Sequence, residues 1–189
     1  NVIPSWSKDG RLIAYTTISD KGHRMGLWDR GRRFSRLRKF PGNVAISPTF
    51  TPDNRIAISL SFNGHPDIYL LDGDFQPSQP LAPSWASSVS PSFDLSGRKM
   101  GFCSGRLGGP QIFMLNRDTG AVDRITYEGT YNTRPSLSPD GRFVVFARLP
   151  PDGQRIFIRD LVVNQERQIT FCPGNDEDPS FDPDGYFVS

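Results

Sequence analysis

The chain of 189 residues contains few residues of the kinds that catalyse reactions or bind metals. It has two cysteines and two histidines, and it has no Cys-x-x-Cys, His-x-x-x-His or Gly-Lys-Ser/Thr motif. A zinc site and a phosphate-binding P-loop therefore have no support in the sequence. The Gly-x-Ser-x-Gly turn that carries the nucleophile of an α/β-hydrolase is also missing. We predict a protein that is not an enzyme and that holds no cofactor and no metal.

Long apolar runs and an excess charge of one sign are missing as well. The longest uninterrupted apolar run covers residues 143–147, whereas a transmembrane helix needs about 20 residues. Lys and Arg number 22 against 20 Asp and Glu, a net charge of +2, so the total charge does not favour a nucleic acid or an anionic membrane as partner. Glycine, proline and phenylalanine are frequent, at 18, 17 and 14. This composition favours a turn-rich folded protein over a helical bundle or a disordered chain.

One motif recurs five times along the chain. Its copies begin at Pro4, Pro48, Pro91, Pro135 and Pro179, so the successive starts are 44, 43, 44 and 44 residues apart. The clearest copy reads Pro-Ser-Leu-Ser-Pro-Asp-Gly-Arg, at residues 135–142. A fixed period of this length indicates a repeat architecture.

Each repeat is predicted to form four strands. The motif supplies a short first strand and a tight Asp-Gly turn, and the second strand is continuously apolar, which indicates burial on both faces. A Gly-rich hairpin, a third strand, another turn and a fourth strand follow. Four strands in about 44 residues are typical of a β-propeller blade, so we predict an all-β propeller. Packing between blades is predicted for one apolar side chain per repeat: Trp6, Phe50, Phe93, Leu137 and Phe181.

The repeat positions also predict the domain organisation, a single propeller segment over residues 1–189. The expected blades cover about residues 1–42, 43–86, 87–130 and 131–174, and residues 175–189 form the start of a fifth. Because the first repeat already contains four strands, we expect four blades plus the start of a fifth from a larger ring. Closure on four blades is the alternative.

The motif resembles the propeller repeat of the TolB family of the bacterial Tol–Pal system. The resemblance is closest over residues 108–113, 124–129 and 135–142, and it covers essentially the whole chain. It implies a six-bladed ring in the periplasm whose propeller docks the lipoprotein Pal on one face. The family's smaller N-terminal α/β domain, which meets TolA, has no counterpart in these residues.

Partner-binding residues are expected on the loops that join fourth strands to first strands, because these loops all reach one face and surround the central channel. Their residues are mostly small, polar or charged, which suits a reversible, partly wet interface. By resemblance they correspond to the face that docks Pal. The candidate residues are Asn43, Val44, Trp85, Ser88, Val89, Tyr131, Asn132, Thr133, Arg134, Asp176, Glu177 and Asp178.

Several other features have a structural interpretation beside a functional one. Residues 176–178 are acidic, but one repeat offers too few oxygens for calcium, so we predict a solvated loop. Six cations within residues 30–39 predict a solvated edge strand, with contact to anionic envelope material as the alternative. His23 and His65 are expected in exposed turns, and Cys103 and Cys172 as free thiols.

Two other functions are compatible with a propeller. The first is the gating propeller of a serine oligopeptidase, which would require a separate α/β-hydrolase domain. The second is a carbohydrate-binding propeller, which would bind glycans. The residues themselves do not distinguish these functions from the docking of a protein.

Overall fold

A computed structural model describes residues 4–20, 22–62 and 64–189, and every regular element among them is a β-strand. The strands form four antiparallel sheets of four, each with its strands in sequence order. The predicted all-β class and four-stranded repeats are confirmed. The strands are β1 (Ser5–Trp6), β2 (Leu12–Ser19), β3 (Gly22–Asp29), β4 (Phe34–Arg38), β5 (Ala45–Phe50), β6 (Ile56–Ser61), β7 (Pro66–Leu71), β8 (Pro77–Pro80), β9 (Ser88–Phe93), β10 (Lys99–Ser104), β11 (Gln111–Asn116), β12 (Val122–Arg124), β13 (Asn132–Leu137), β14 (Phe143–Arg148), β15 (Arg155–Asp160) and β16 (Gln165–Gln168).

The chain divides into two compact units, Asn1–Pro91 and Ser92–Ser189, called unit 1 and unit 2 below. In unit 1, Ala14 and Met25 of the first sheet share a core with Phe50, Ile58 and Leu60 of the second. In unit 2, β10 and β11 pack against β13. The second strands β6, β10 and β14 are almost entirely buried, as their continuous apolar sequences predicted.

The serine of the motif joins successive repeats. The Oγ atom of Ser5 accepts a hydrogen bond from the backbone N–H of Phe50 at 3.0 Å, and Ser92 accepts one from Leu137 at the same distance. The motif's apolar side chain is then directed against the preceding sheet, and Phe50 and Leu137 are buried as predicted. Phe93 and Phe181 are half-buried. Trp6 corrects the prediction: it is 54% exposed, since no strand of the described residues covers its ring.

The first-to-second turn of each repeat is held by the polar side chains of the motif. In the fourth repeat, the Ser138 Oγ accepts the Phe143 N–H at 2.8 Å and donates to the Asp140 Oδ1 at 2.5 Å. Asp140 also accepts the Arg142 N–H. These hydrogen bonds, that of the Ser138 hydroxyl above all, hold the pKa of Asp140 below its ordinary value. Serine and aspartate fulfil the role in the turn that their recurrence in the sequence predicted.

In the third-to-fourth hairpins, a side-chain oxygen accepts hydrogen bonds from the backbone of the turn. The carboxylate of Asp160, at the end of β15, accepts the N–H groups of Val162 and Val163. It also accepts two hydrogen bonds from the Arg142 guanidinium, at 3.0 and 2.7 Å. The hydrogen bond from Arg142 is the main cause that lowers the pKa of Asp160 to about 2. Asp29, Asp72 and Asn116 occupy the same place in the other repeats and accept hairpin N–H groups in the same way.

The two cysteines and the two histidines remain to be placed. Cys103 is buried in β10, where desolvation raises the pKa of its thiol to about 12, and Cys172 is exposed; both are free thiols. The prediction of exposed turn histidines is wrong. His23 lies within β3 and is half-buried, and His65 is half-buried with its Nδ1 3.7 Å from the Asp67 Oδ2. No helix among the described residues has the length and hydropathy of a membrane span.

Candidate functional site

Two sets of loops meet at one end of the strands in unit 2, because strand direction alternates along each sheet. These are the second-to-third hairpins, near residues 105–110 and 149–154, and the fourth-to-first loops, near residues 128–134 and 171–178. We call this the loop end, and the opposite end, with the Asp-Gly turns, the turn end. Backbone hydrogen bonds join the two sets directly. The Leu149 N–H donates to the Tyr131 carbonyl at 3.1 Å, and the Asp176 N–H donates to the Gln154 carbonyl at 3.0 Å.

In unit 2, a buried polar side chain at the start of each of the third strands β11 and β15 anchors the next fourth-to-first loop. In β11 the Gln111 Nε2 donates to the Gly129 carbonyl at 3.0 Å. In β15 the Arg155 Nη1 donates to the Gly174 carbonyl at 2.5 Å. Both side chains are buried, so water cannot readily replace these bonds, and the loops are fixed before any partner arrives.

Asn132 is the centre of a buried network under the first of these loops. Its Nδ2 donates to the Gln111 Oε1 and to the Glu128 carbonyl, both at 2.9 Å, and its Oδ1 accepts the Arg148 Nε–H at 2.7 Å. Asn132 and Ser88 have no exposed surface. They cannot contact a partner in this conformation, so both are removed from the set of contacts predicted from the sequence. Asn132 positions the loop instead.

The network continues into a buried ion cluster. The Arg148 Nη2 lies 2.6 Å from the Glu166 Oε1, and the Arg159 Nη1 lies 3.4 Å from the Glu166 Oε2. The Arg148 guanidinium also stacks over the Phe157 ring, with 4.3 Å between its Cζ and the ring centroid. Arg148 keeps only 7% of its side-chain area exposed. A charge so buried is tolerated because it is paired and hydrogen-bonded.

Arg134 and the acidic loop, which were predicted separately, come together. The Arg134 Nη1 lies 3.6 Å from the Glu177 Oε2 and forms a closer ion pair with the Asp178 carboxylate. Arg134 and Asp178 are equivalent residues of successive repeats, and both have positive φ, of 54° and 56°.

The same position is left-handed in the second and third repeats, at Ser47 and Ser90. The pairing register shifts there in β5, between Ile46 and Thr49, and in β13, between Thr133 and Ser136, so each of these two strands has a β-bulge. No residue type marks the left-handed position, since Ser, Ser, Arg and Asp occupy it in turn. Sequence reasoning therefore missed it.

Exposed apolar side chains are more frequent at the loop end of unit 2 than the sequence indicated. Tyr131 is 42% exposed, and its backbone partner Leu149 is 49% exposed. Leu107 and Phe171 are also exposed. Leu107 and Leu149 belong to the second-to-third hairpins, so the composition of the fourth-to-first loops did not reveal them.

The other candidate residues divide into exposed and half-buried positions. In unit 1, Asn43 and Trp85 are exposed, while Val44 and Val89 are half-buried. The Asn43 carbonyl accepts the His23 N–H at 3.4 Å, and the Val44 carbonyl accepts the Ser61 N–H at 3.2 Å.

The loop that carries Asn43 and Val44 approaches the β6 backbone so closely that only glycine fits beside it. A Cβ on Gly42, whose φ is +88°, would lie 1.8 Å from the Ser61 carbonyl oxygen.

The remaining candidates of unit 2 have different exposures. Thr133 is half-buried in β13, Asp176 is half-buried, and Glu177 and Asp178 are exposed. Within the described ranges, no group of three or more His, Cys, Asp or Glu side chains is arranged to hold a metal ion.

The sheets are four-stranded antiparallel meanders that repeat about every 44 residues, and hydrogen bonds to the motif serine join successive repeats. This arrangement defines a β-propeller. The chain belongs to the TolB β-propeller family: the family model described as "TolB beta propeller domain" matches residues 1–189. The resemblance inferred from the motif is thus confirmed.

Individual relatives carry the same name. The Tol-Pal system protein TolB of Nitratidesulfovibrio vulgaris is 49% identical over 106 residues, which are 56% of this chain and 24% of that protein. The TolB homolog of Chlorobium luteolum is 34% identical over 111 residues, or 58% of this chain and 25% of that protein. The match thus spans about a quarter of each of these relatives.

Solved structures agree with the family. TolB from Acinetobacter baumannii superposes with a TM-score of 0.85 at 27% identity, over 100% of this chain and 48% of that one. A putative TolB from Agrobacterium tumefaciens also gives 0.85, at 23% identity, over 99% and 68%. Puromycin hydrolase gives 0.70 at 14% identity, over 87% and 28%. The likenesses to these last two structures, both under 25% identical, show the fold alone.

Proposed function

We propose that this chain is a non-catalytic protein-binding propeller of the Tol–Pal system, that it acts in the periplasm, and that its loop end docks the lipoprotein Pal. The names of its relatives support the assignment to that system. The scarcity of catalytic motifs in the sequence supports a role in binding.

One observation carries the proposal, namely that the loops are anchored by buried side chains. Gln111 and Arg155 hold the Gly129 and Gly174 carbonyls, and Asn132 ties the first of these loops to Arg148. Loops that are ordered before binding lose little conformational entropy when a partner arrives, so more of the contact energy contributes to affinity.

The proposed interface in unit 2 has an apolar centre with charged residues around it. Tyr131 and Leu149 form the centre, and aromatic anchors of this kind commonly dominate binding energy. Arg134, Glu177 and Asp178 supply paired charges that favour a complementary partner. Thr133 and Asp176 complete the proposed contacts there, and Asn43, Val44, Trp85 and Val89 are the corresponding candidates in unit 1.

We also propose that each sheet is one blade, with the boundaries predicted above. Residues 175–189 would begin a further blade. In support, Phe181 and Val188 form an antiparallel bridge, and Ser180 and Ser189 exchange backbone hydrogen bonds at 3.0 Å.

The experiment compares Tyr131→Ala with Tyr186→Ala for binding to purified Pal by calorimetry. Tyr186 is the matched control because it is 84% exposed and belongs to the turn end. We expect Tyr131→Ala to weaken binding about 30-fold, the effect of an interface anchor worth about 2 kcal/mol, and Tyr186→Ala to leave it within about twofold. Equal effects of the two variants, or no effect of Tyr131→Ala, would place the docking face elsewhere.

A double variant tests the charged part of the same face. Replacing Arg134 and Glu177 together by Ala removes a cation and an anion, so the net charge is unchanged. We expect weaker binding to Pal and a lower dependence of affinity on salt. Unchanged affinity and salt dependence would exclude these two side chains from the interface.

A further inference from the structure

The positive charge of the chain is concentrated in one hairpin, the segment 29–39 that joins β3 to β4 and includes β4. This basic hairpin carries six cations and one aspartate, a net charge of +5, so the rest of the chain has a net charge of −3. The equivalent segments 72–82, 116–126 and 160–170 carry −2, 0 and −1. The balanced total charge therefore conceals a strongly basic edge on the first sheet.

The charges of the basic hairpin are available for binding. Arg30, Arg33, Arg36 and Lys39 are exposed, and among the described residues they form no ion pair. Arg32 has only a distant partner, the Asp29 carboxylate at 3.8 Å, and it is 70% exposed. Asp29 is already occupied by hydrogen bonds from hairpin N–H groups and from the Arg11 guanidinium.

Apolar side chains are interspersed among these cations. Phe34 and Leu37 are 57% and 53% exposed. Since side chains alternate along a strand, Phe34 and Arg36 project from one face of β4 and Leu37 from the other. Four of the five β4 residues are exposed. The edge thus presents Phe34 and Arg36 on one face, Leu37 on the other, and further arginines at its tip.

Protection of an edge strand does not require this arrangement. A single inward charge, a proline or a short strand is enough to prevent pairing with another sheet. The outer strands β8, β12 and β16 are likewise terminal in their sheets, and they have no comparable group of cations. Exposed Phe34 and Leu37 would also increase the tendency to associate.

We propose that the basic hairpin binds the surface of a membrane that contains anionic phospholipid. A fluid layer of phosphate headgroups can pair with cations at the tip and on one face of the edge while apolar side chains of both faces enter it, whereas a rigid partner would have to enclose the edge. Guanidinium groups bind phosphate oxygens in pairs, and Phe34 and Leu37 can enter the boundary between headgroups and acyl chains.

The site of contact is the outer edge of β4 rather than the concavity beside it. That concavity, of about 300 Å³, is lined by Arg11, Arg32 and Arg36 but also by Asp9 and Asp29. The two carboxylates would repel a phosphate there. Arg33 at the tip and Arg36 on the strand are free of such neighbours in ion-pair distance, and they are the residues to test.

The test is co-sedimentation of the full chain with vesicles of equimolar phosphatidylglycerol and phosphatidylcholine, compared with phosphatidylcholine alone, at low and at high salt. We expect partition only onto the anionic vesicles at low salt. Arg33→Gln with Arg36→Gln should weaken it about 30-fold, since each arginine near an anionic surface contributes about fivefold. Phe34→Ser should weaken it further. Because no Pal is present, the outcome is independent of the proposed docking function.

A matched control removes two exposed arginines elsewhere, by Arg98→Gln with Arg167→Gln. This variant should partition like the unaltered protein. If the control variant lost as much partition onto the vesicles, the effect would come from net charge alone, and the proposal would be overturned. Lack of partition by the unaltered protein would overturn it too, as would binding to soluble polyphosphate but not to vesicles. Unchanged partition of the Arg33/Arg36 variant, with new self-association in sedimentation velocity, would assign the cations to edge protection instead.

Discussion

The two ends of the strands in unit 2 are stabilised by different kinds of hydrogen bond. At the turn end, Ser138 and Asp140 bond to groups no more than five residues away, and similar residues do so in other repeats. At the loop end, Gln111 and Arg155 reach carbonyls 18 and 19 residues away, and the equivalent residues differ between repeats. The Asp-Gly turns are therefore encoded locally, although Arg142 also reaches Asp160, 18 residues away, at the same end. The loop end depends on contacts between elements.

The difference indicates how a repeat protein separates stability from recognition. The recurring motif closes each turn with hydrogen bonds between residues that are close in sequence. The variable loops are free to carry Tyr131, Leu149 and the ion pair of Arg134 because buried side chains beneath them supply the order. Substitutions at the two ends should therefore have unequal effects.

The largest effect is expected at the buried ion cluster of the loop end. Arg148→Ala leaves the Asn132 Oδ1 without its donor and removes the closer cation from Glu166, so the free energy of unfolding should fall by about 3 kcal/mol. Urea titration measures this change in the free energy of unfolding. Arg167→Ala, on the exposed side of β16, is the control and should change stability by no more than about 0.5 kcal/mol. A similar small change for Arg148→Ala would remove the contrast between the two ends.

A smaller effect is expected at the turn end. Ser138→Ala removes a bond accepted from the Phe143 N–H and one donated to Asp140, and we expect a loss of about 1 kcal/mol in the free energy of unfolding. Ser35→Ala, on exposed β4, is the matched substitution and should have almost no effect. A loss for Ser138→Ala as large as that for Arg148→Ala would mean that the local turn is as critical as the buried cluster.

The smallest expected effect is on the pH dependence of the free energy of unfolding, and it concerns Asp160 in the third-to-fourth hairpin. The pKa of Asp160 is lowered to about 2 in the folded chain, below the ordinary value of about 3.9. The unfolded chain then binds the proton more readily, so the stabilisation is complete above about pH 4 and declines as the pH falls towards 2. Asp160→Asn should be less stable at neutral pH and should lose less stability on acidification. Parallel pH profiles of the two proteins in urea titrations would refute the assignment to Asp160.

Much of the fold was predictable because its determinants are local. The Ser138, Asp140 and Gly141 turn and the apolar run of β14 are readable from a few adjacent residues. Trp6 shows the limit of this reasoning, since it has the motif's sequence but is exposed, and burial depends on which strands lie against a side chain. The bulge at Arg134 was not predictable, because its left-handed conformation follows from strand pairing and not from residue type.

The candidate site was predictable only in its location. Strand alternation places the fourth-to-first loops at one end, but sequence position could not distinguish Asn132, which is buried, from Tyr131 beside it, which is exposed. Nor could it show that Leu149 meets Tyr131, because the hydrogen bond between them joins two loops that are separate in sequence.

The sequence by itself determined the period, the four-stranded repeat and the chemistry of each turn, because these depend on hydrogen bonds within a few residues and on the apolar run of a single strand. The tertiary structure decided which loop residues face solvent, which buried side chains hold them, and that Arg134 pairs with Asp178 of the next repeat. Those outcomes depend on distances between residues tens of positions apart, and such distances exist only after the sheets have packed.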